Sequence, residues 1–451
     1  MARVYLNFSR WIKSRATLRS RLWRGLMPWL SLATFLAALL LNSLTPAHGQ
    51  LVMQPTQTIA QAAPQVVPRP TPQPVPPTPQ QEVRGVWMTV NDSEIWMNRD
   101  RMRKAVDELA RANFNTIYPV VWNSGYVLYP SAVAQRAGIQ SFVPRGKQGQ
   151  DTLAELIAYA HQRGLRVIPW LEFGFMTPPT SELAMLYPQW LTQKQDGSQT
   201  WVGAAGEVVW LNPFRPDVQQ FITSLVSEIA TRYDIDGIQF DDHTSLPNVF
   251  GYDSYTLSRY TTETRTVKVK DEERQVVIRR SLPTHPEGTD WVKWRADRLT
   301  DYMTQLHRTF KAIRPNAVFS VAPNPYDTAY LGALQDWLTW VRRGIVDELH
   351  VQIYRADFNI FAAQVNRPEI QESKAKIPTG IGILTGLRNR QIPMARIQSQ
   401  TQFVRSQGLG ATFFYYESLW DYAPEPSPQR QAQFQALLVP ANYQARNNSA
   451  P

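Results

Sequence analysis

The chain has 451 residues, 11% of them aromatic, carries a formal net charge of +10 and contains no cysteine. The missing cysteines exclude a disulfide framework, a thiolate metal site and a lipid-modified N-terminal Cys. The first 49 residues hold seven Lys or Arg and no Asp or Glu, so the rest of the chain is left at about +3 and a nucleic-acid partner loses its main support.

Within that basic segment an apolar run from Leu26 to Leu44 leads to Ala47-His48-Gly49, a small-x-small pattern suited to cleavage before Gln50. It predicts an export signal, and hence a periplasmic, envelope or extracellular protein. The alternative is an uncleaved membrane anchor over residues 1–49, the chain's only expected membrane contact. Residues 50–81, including PQVVPRPTPQPVPPTPQQ, are proline-rich, nearly uncharged and without apolar period, which predicts a disordered linker. Residues 441–451 read as a disordered tail.

From Glu82 onward eight short apolar segments alternate with helical patterns: 83–89, 115–122, 165–172, 235–242, 317–323, 347–354, 377–383 and 410–417. This grammar predicts an α/β chain folded as a (β/α)8 TIM barrel over 82–440, with active-site groups at the C-terminal ends of its strands. The first segment aims Trp87 into the barrel near its mouth. After a helix over 100–112, the second brings Trp122 to the same rim. A helix over 151–163, capped by Asp151 and closed by Gly164, precedes the third, LRVIPWLE, whose alternation puts Trp170 and Glu172 on one face.

The fourth segment, YDIDGIQFDDH, becomes more polar toward its end, where Asp241, Asp242 and His243 follow one another. Carboxylates where a buried strand meets a loop are costly unless paired or functional, although such an Asp also serves simply to cap a turn. A long excursion, 244–290, follows. Within it TRTVKVKDEERQVVIRR alternates like a hairpin with Asp271, Glu272 and Glu273 at its tip, a cleft wall or a plain decoration. A helix over 291–313 resumes the barrel. The fifth segment ends at Asn324. The sixth, DELHVQIY, places His350, Gln352 and Tyr354 on the inner face and is followed by Asp357. The seventh turns Gly380 and Gly382 inward, leaving space for a ligand or another side chain. The eighth carries Tyr415 and Glu417 to the rim, and a helix over 428–438 closes the ring.

Fifteen tryptophans and eighteen tyrosines suit a sugar, whose ring offers C–H faces for stacking and hydroxyls for directional hydrogen bonds. Trp87, Trp122, Trp170, Tyr354 and Tyr415 are the expected platform, with His243, Asn324, His350 and Gln352 as polar substrate contacts. Any one of these rings also suits a core.

RGVWMT, NTIYPVVWNSGYVLYPS, HQRGLRVIPWLE, LNPFRPDVQQFI, YDIDGIQFDD and WVKWR together resemble the bacterial glycosyl-hydrolase-like family 10 domain over about 82–440. The resemblance implies a carbohydrate-active barrel of envelope or secreted proteins, some relatives acting on envelope glycans such as peptidoglycan. It makes Asp241 and Asp242 the strand-four rim acids. The family's strand-four motif commonly reads DGIHFDDY, whereas Gln239 and His243 stand at the flanking positions here. A xylanase mechanism does not carry over, because the seventh segment offers no carboxylate, and a chitinase-like DGxDxDxE pattern fails at His243.

The reading is therefore an exported glycoside hydrolase acting on a polysaccharide or oligosaccharide by paired carboxylates, with no metal or other cofactor. Asp241, whose parity points inward, is the expected nucleophile or base in preference to Asp242. Glu172, Asp357 and Glu417 are the candidate acids, and the carboxylate separation would set retention or inversion. A glycan-binding barrel without catalysis is the alternative. A metal-dependent hydrolase using Asp241, Asp242, His243 and His350 is weaker, because neighbours on a strand diverge and no HxxxH or HExxH spacing is present.

Overall fold

The computed structural model describes residues 82–139, 150–203, 206–269 and 272–440. The expected signal or anchor, linker, C-terminal tail and Asp271 lie outside the described residues. No helix among the described residues is long and apolar enough to cross a membrane.

Eight parallel strands close on themselves: β1 (Arg84–Met88), β2 (Thr116–Asn123), β3 in two pieces (Arg166–Val167 and Trp170–Leu171), β4 (Gly237–Asp241), β5 (Val318–Ala322), β6 (Glu348–Gln352), β7 (Thr379–Leu384) and β8 (Gly410–Phe414). Each pairs with the next, and β8 returns to β1. All eight lie within or at the edges of the apolar segments. Strand β3 is interrupted because Pro169 has no N–H to offer the ladder, while its carbonyl still accepts from Gln239 N at 2.8 Å.

The strands are covered by α1 (Arg99–Arg111), α2 (Thr152–Gln162), α3 (Pro216–Arg232), α4 (Thr289–Ile313), α5 (Trp337–Arg342), α6 (Phe358–Val365), α7 (Met394–Ser406) and α8 (Ser427–Leu437). Helix α1 shows why they form. The Asn98 side chain caps Asp100 N and Arg101 N, and Met102, Ala105, Val106 and Leu109 recur at helical spacing on the buried face. Helix α3 begins with Pro216, at a position whose N–H would lack an intrahelical partner in any case.

Two β-structured excursions rise from the loops at the strand C-termini. After β3, a small antiparallel sheet joins Met176–Thr177, Gly206–Trp210 and Thr200–Gly203, in that spatial order. After β4, the expected hairpin forms from Thr262–Val269 paired with Glu272–Arg279.

The barrel interior is filled in layers. Near the base, the Tyr118 hydroxyl and His350 Nε2 lie 2.8 and 3.1 Å from Glu348 Oε1, Arg166 reaches Glu348 Oε2 at 2.8 Å, and Thr412 meets His350 Nδ1 at 2.9 Å. Burial works against a charge on Glu348, but Arg166 and His350 overcome it and hold the carboxyl far below the usual range. Above this layer the Trp87 indole N–H donates to Gln239 Oε1 at 2.7 Å, and Gln239 donates in turn to Ser320. The inward glycines of β7 leave no room for a ligand. A Cβ on Gly380 would lie 2.6 Å from His350 Nδ1, and one on Gly382 would lie 3.2 Å from the Trp87 ring, so the space serves those two side chains.

Candidate active site

Strands β3, β4, β5 and β6 bring Glu172, Asp241, Asp242, His243, Asn324, Gln352 and Tyr354 to the mouth. Asp241 is buried, and its Oδ1 accepts from Gln352 Nε2 and from the Asp242 backbone N, both at 2.6 Å. Asp242 accepts from Asn324 Nδ2 at 2.6 Å, with His243 Nδ1 3.3 Å from its other oxygen. His243 Nδ1 also lies 3.1 Å from the Glu172 carbonyl, and its ring leans on Phe173. Glu172 Oε2 accepts from Asn123 Nδ2 at 2.7 Å. The Tyr354 ring packs on Phe414, and its buried hydroxyl has no hydrogen-bond partner.

These surroundings push the carboxyls apart. Burial raises the pKa of Glu172, partly offset by the Asn123 hydrogen bond and reinforced by the charge of Asp242, to about 8. Asp241 is pushed well up by burial, by the charge of Asp242 and by the hydrogen bond they share. For Asp242 burial acts in the same direction but is overcome by the adjacent His243 imidazole, the hydrogen bond with Asp241 and the one from Asn324, so its carboxyl falls below the ordinary range. Burial thus raises Glu172 and Asp241 while His243 and Asn324 lower Asp242, so the negative charge of the site falls first on Asp242. Burial, reinforced by the neighbouring carboxyl groups, pushes the Tyr354 phenol well above its ordinary range.

Several other expected residues are elsewhere. Between Val120 and Trp122 the pairing of β2 with β3 slips, two residues on β2 opposing one on β3. This bulge reverses the alternation. Trp122 is turned outward onto Phe221 of α3, with its indole N–H on the Gly174 carbonyl at 2.8 Å, while Asn123 meets Glu172. Asn123 was missed because strict alternation counts it outward; its position directly after a run of apolar strand residues was the available signal. Trp87 and Trp170 face inward but are fully buried beneath the mouth with Phe414, so neither offers an open face. His350 lies lower still, in the base network, with Trp87 packed edge-on against it. Tyr415 is buried beside Phe414. Asp357 is exposed and caps α6 through Ile360 N at 2.9 Å. Glu417 pairs with Arg388 at 2.9 Å, and its backbone N–H donates to Asp92, a buried acid after β1 that sequence reasoning did not single out.

Gly174 holds the ends of β3 and β4 together. It has φ +47°, and a Cβ there would lie 2.4 Å from the His243 carbonyl carbon and oxygen and from Thr244 N. Gly174→Ala must separate Glu172 from the Asp241–Asp242 pair, so turnover should fall by about tenfold or more, together with the melting temperature. Kinetics and thermal unfolding of the purified variant check this.

Asp241, Asp242 and His243 also offer ligand atoms all within 4.8 Å of one another, so this triplet is the place where a cation would be held. Asp241 Oδ2 and Asp242 Oδ1 lie 3.9 and 3.3 Å from His243 Nδ1, while the opposite oxygen of each carboxylate accepts from Gln352 or Asn324.

The family model for Glycosyl hydrolase-like 10 matches residues 82–405. The chain belongs to that family. It is similar to the glycosyl hydrolase DigH of Escherichia coli K12, 25% identical over 310 residues that cover 61% of this chain and 66% of that protein. It is also similar to the glycosyl hydrolase YngK of Bacillus subtilis 168, 21% identical over 303 residues covering 61% and 54%. The chain thus spans less than two thirds of the length of these relatives. Among solved structures, the glycoside hydrolase domain of PgaB (BpsB) from Bordetella bronchiseptica superposes with a TM-score of 0.54 at 13% identity, over 80% of this chain and 98% of that one. An alpha-L-fucosidase isoenzyme from Paenibacillus thiaminolyticus gives 0.53 at 15% identity, over 79% and 48%. These glycosyl hydrolase-like 10 residues therefore sit on a barrel shared with glycoside hydrolases.

Proposed function

We propose that the protein is an exported glycoside hydrolase acting on an envelope or extracellular polysaccharide. The observation that carries this is the meeting of acids at the mouth, where Glu172 directly after β3, raised to about 8 by burial, faces the Asp241–Asp242 pair at the end of neighbouring β4, with Asp242 lowered by His243 and Asn324. Pairs of acids driven apart in this way supply the acid and the base or nucleophile of glycosidic cleavage. Glu172 protonates the departing glycosidic oxygen. Asp242 attacks the anomeric carbon or draws a proton from the attacking water. Asp241, its pKa raised by burial and by the Asp242 charge, shares a hydrogen bond with Asp242, and Gln352 holds Asp241 in place. This assignment moves the leading role from Asp241 to its neighbour.

Incubation with sacculi, with and without stem peptides, and with bacterial and plant polysaccharides tests the reading. New reducing ends are expected from at least one glycan, and the anomer first released distinguishes retention from inversion. Binding without any cleavage would leave a glycan-binding barrel. The closeness of Asp241, Asp242 and His243 favours one other reading, a metal-dependent hydrolase, so the rate should survive a chelator; loss restored by a divalent cation would favour the metal enzyme instead.

Export has its own test. The full chain should fractionate with the envelope or medium, while a chain lacking residues 1–49 should stay cytoplasmic and soluble. Insolubility of the shortened chain would make the apolar run part of the fold.

A further inference from the structure

The described residues include twelve tryptophans, and eleven of them are buried; Trp201 alone is exposed, at 37%. It lies on Thr200–Gly203, the outer strand of the small sheet after β3, opposite Val208. It is not a loose surface ring. Part of it rests on Trp210 and Phe250, with ring centroids at 6.3 and 6.4 Å, and Phe250 is fully buried.

The sheet is tied to the acids. Glu172 directly follows β3, and the chain runs on into Met176–Thr177, the inner strand of the sheet. Phe175 N donates to the His243 carbonyl, and Leu211 N donates to the Phe175 carbonyl. Phe250, on which Trp201 rests, belongs to the loop that leaves Asp242 and His243. In that same loop Leu246 N and Asn248 N donate to the carbonyls of Ala333 and Gly332, after β5. The loops following β3, β4 and β5 thus form one connected belt on the catalytic face. Trp201 stands two strands out from Met176–Thr177, a lateral step on the order of 10 Å at ordinary strand spacing. That step alone is wider than one sugar ring.

We infer that Trp201 is the stacking platform of a remote subsite, so that the protein grips a glycan chain several sugars long and cuts within it. This rests on the glycoside hydrolase reading of the acids. An indole braced from beneath by two aromatic rings gives a flat, pre-set face at low entropic cost, which the buried Trp87, Trp122 and Trp170 do not provide. Half-exposed Lys194, whose ammonium lies 5.9 Å from the Phe250 ring centre, and Thr200 flank it with polar groups suited to sugar hydroxyls.

The test uses the full chain carrying Glu172→Gln, so that binding is read without turnover. Chito-oligosaccharides of increasing length and glycan strands released from sacculi are titrated by tryptophan fluorescence. With Trp201 present, affinity should rise with chain length beyond what the central site alone holds. Adding Trp201→Ala should remove that rise, lowering long-chain affinity relative to short by about five- to tenfold, and Trp201→Tyr should restore most of it. An unchanged length dependence in Trp201→Ala overturns the subsite. So does a lower melting temperature as the variant's sole effect, and so does failure of every glycan to bind. Steady-state cleavage by the unmutated acids is measured alongside. Loss of length-dependent binding with no cleavage of any glycan by the native chain keeps the subsite and sinks the hydrolase. Cleavage of long strands with the same KM in Trp201→Ala does the reverse.

Discussion

Asp242→Asn should lose at least about a hundredfold in turnover, and Asp241→Asn should lose less. The order follows from which carboxylate carries the charge. Asp242 is held ionised by His243, Asp241 and Asn324, so an amide there removes the group that attacks or draws the proton. The pKa of Asp241 is pushed up by burial and by the Asp242 charge, and an Asn side chain there can still donate a hydrogen bond to its neighbour. Stability should separate the two variants as well. The pKa of Asp242 is depressed by folding, so its ionised form contributes stability that is present above the unfolded pKa and lost as pH falls through the folded one; Asn forfeits that contribution. The pKa of Asp241 is raised by folding, so Asn removes a cost at neutral pH. Turnover numbers and melting temperatures at neutral pH check both statements, and a greater turnover loss in Asp241→Asn would return the leading role to that residue.

Glu172→Gln should lose at least about a hundredfold on natural glycans and far less on substrates whose leaving group needs no proton, such as nitrophenyl glycosides. The same substitution should raise the melting temperature. Folding lifts the Glu172 pKa from 4.5 to about 8, so between those values the folded protein keeps a proton that the unfolded chain releases. Its stabilising share is therefore full below 4.5 and lost as pH rises toward 8. Gln, always neutral and still able to accept from Asn123, escapes that loss. The stability gap between variant and native protein should open over this window and stay constant above it. The native kcat/KM should fall as pH passes about 8, where Glu172 gives up its proton, and remain flat on the acid side until Asp242 is protonated. A native profile with no alkaline limb, or a Glu172→Gln variant that melts lower at pH 8, would remove Glu172 as the acid.

The second prediction depends on Glu172, which alternation placed at the mouth, whereas the first depends on Asp242, which alternation ranked behind its neighbour. Glu172, Asp241, Gln352 and Tyr354 fall on the mouth because each strand end kept its two-residue period. Asn324 was found as the last polar residue of its segment, and the structure puts it 2.6 Å from Asp242. Trp122 and Asn123 show where this reasoning stops. A bulge is a relation between two strands, and nothing within TIYPVVWN announces that β3 will oppose two of its residues with one. Asp357 and Glu417 show a second limit, since an acid just past a strand end is equally suited to cap a helix or meet an arginine.

What the sequence determined by itself was the barrel and its numbered strand ends, since apolar period and the alternation of strand with helix are local properties of the chain. Which ring is buried, which acid keeps its proton and which tryptophan faces outward were decided only by the tertiary structure. Trp87 and Trp201 are chemically the same side chain, separated by whether seven other strands or open solvent surround them. Asp241 and Asp242 are adjacent in the chain, yet Gln352 from β6 holds one and Asn324 after β5 the other. Their pKa values part because burial and charge act through space, between strands that are far apart in sequence.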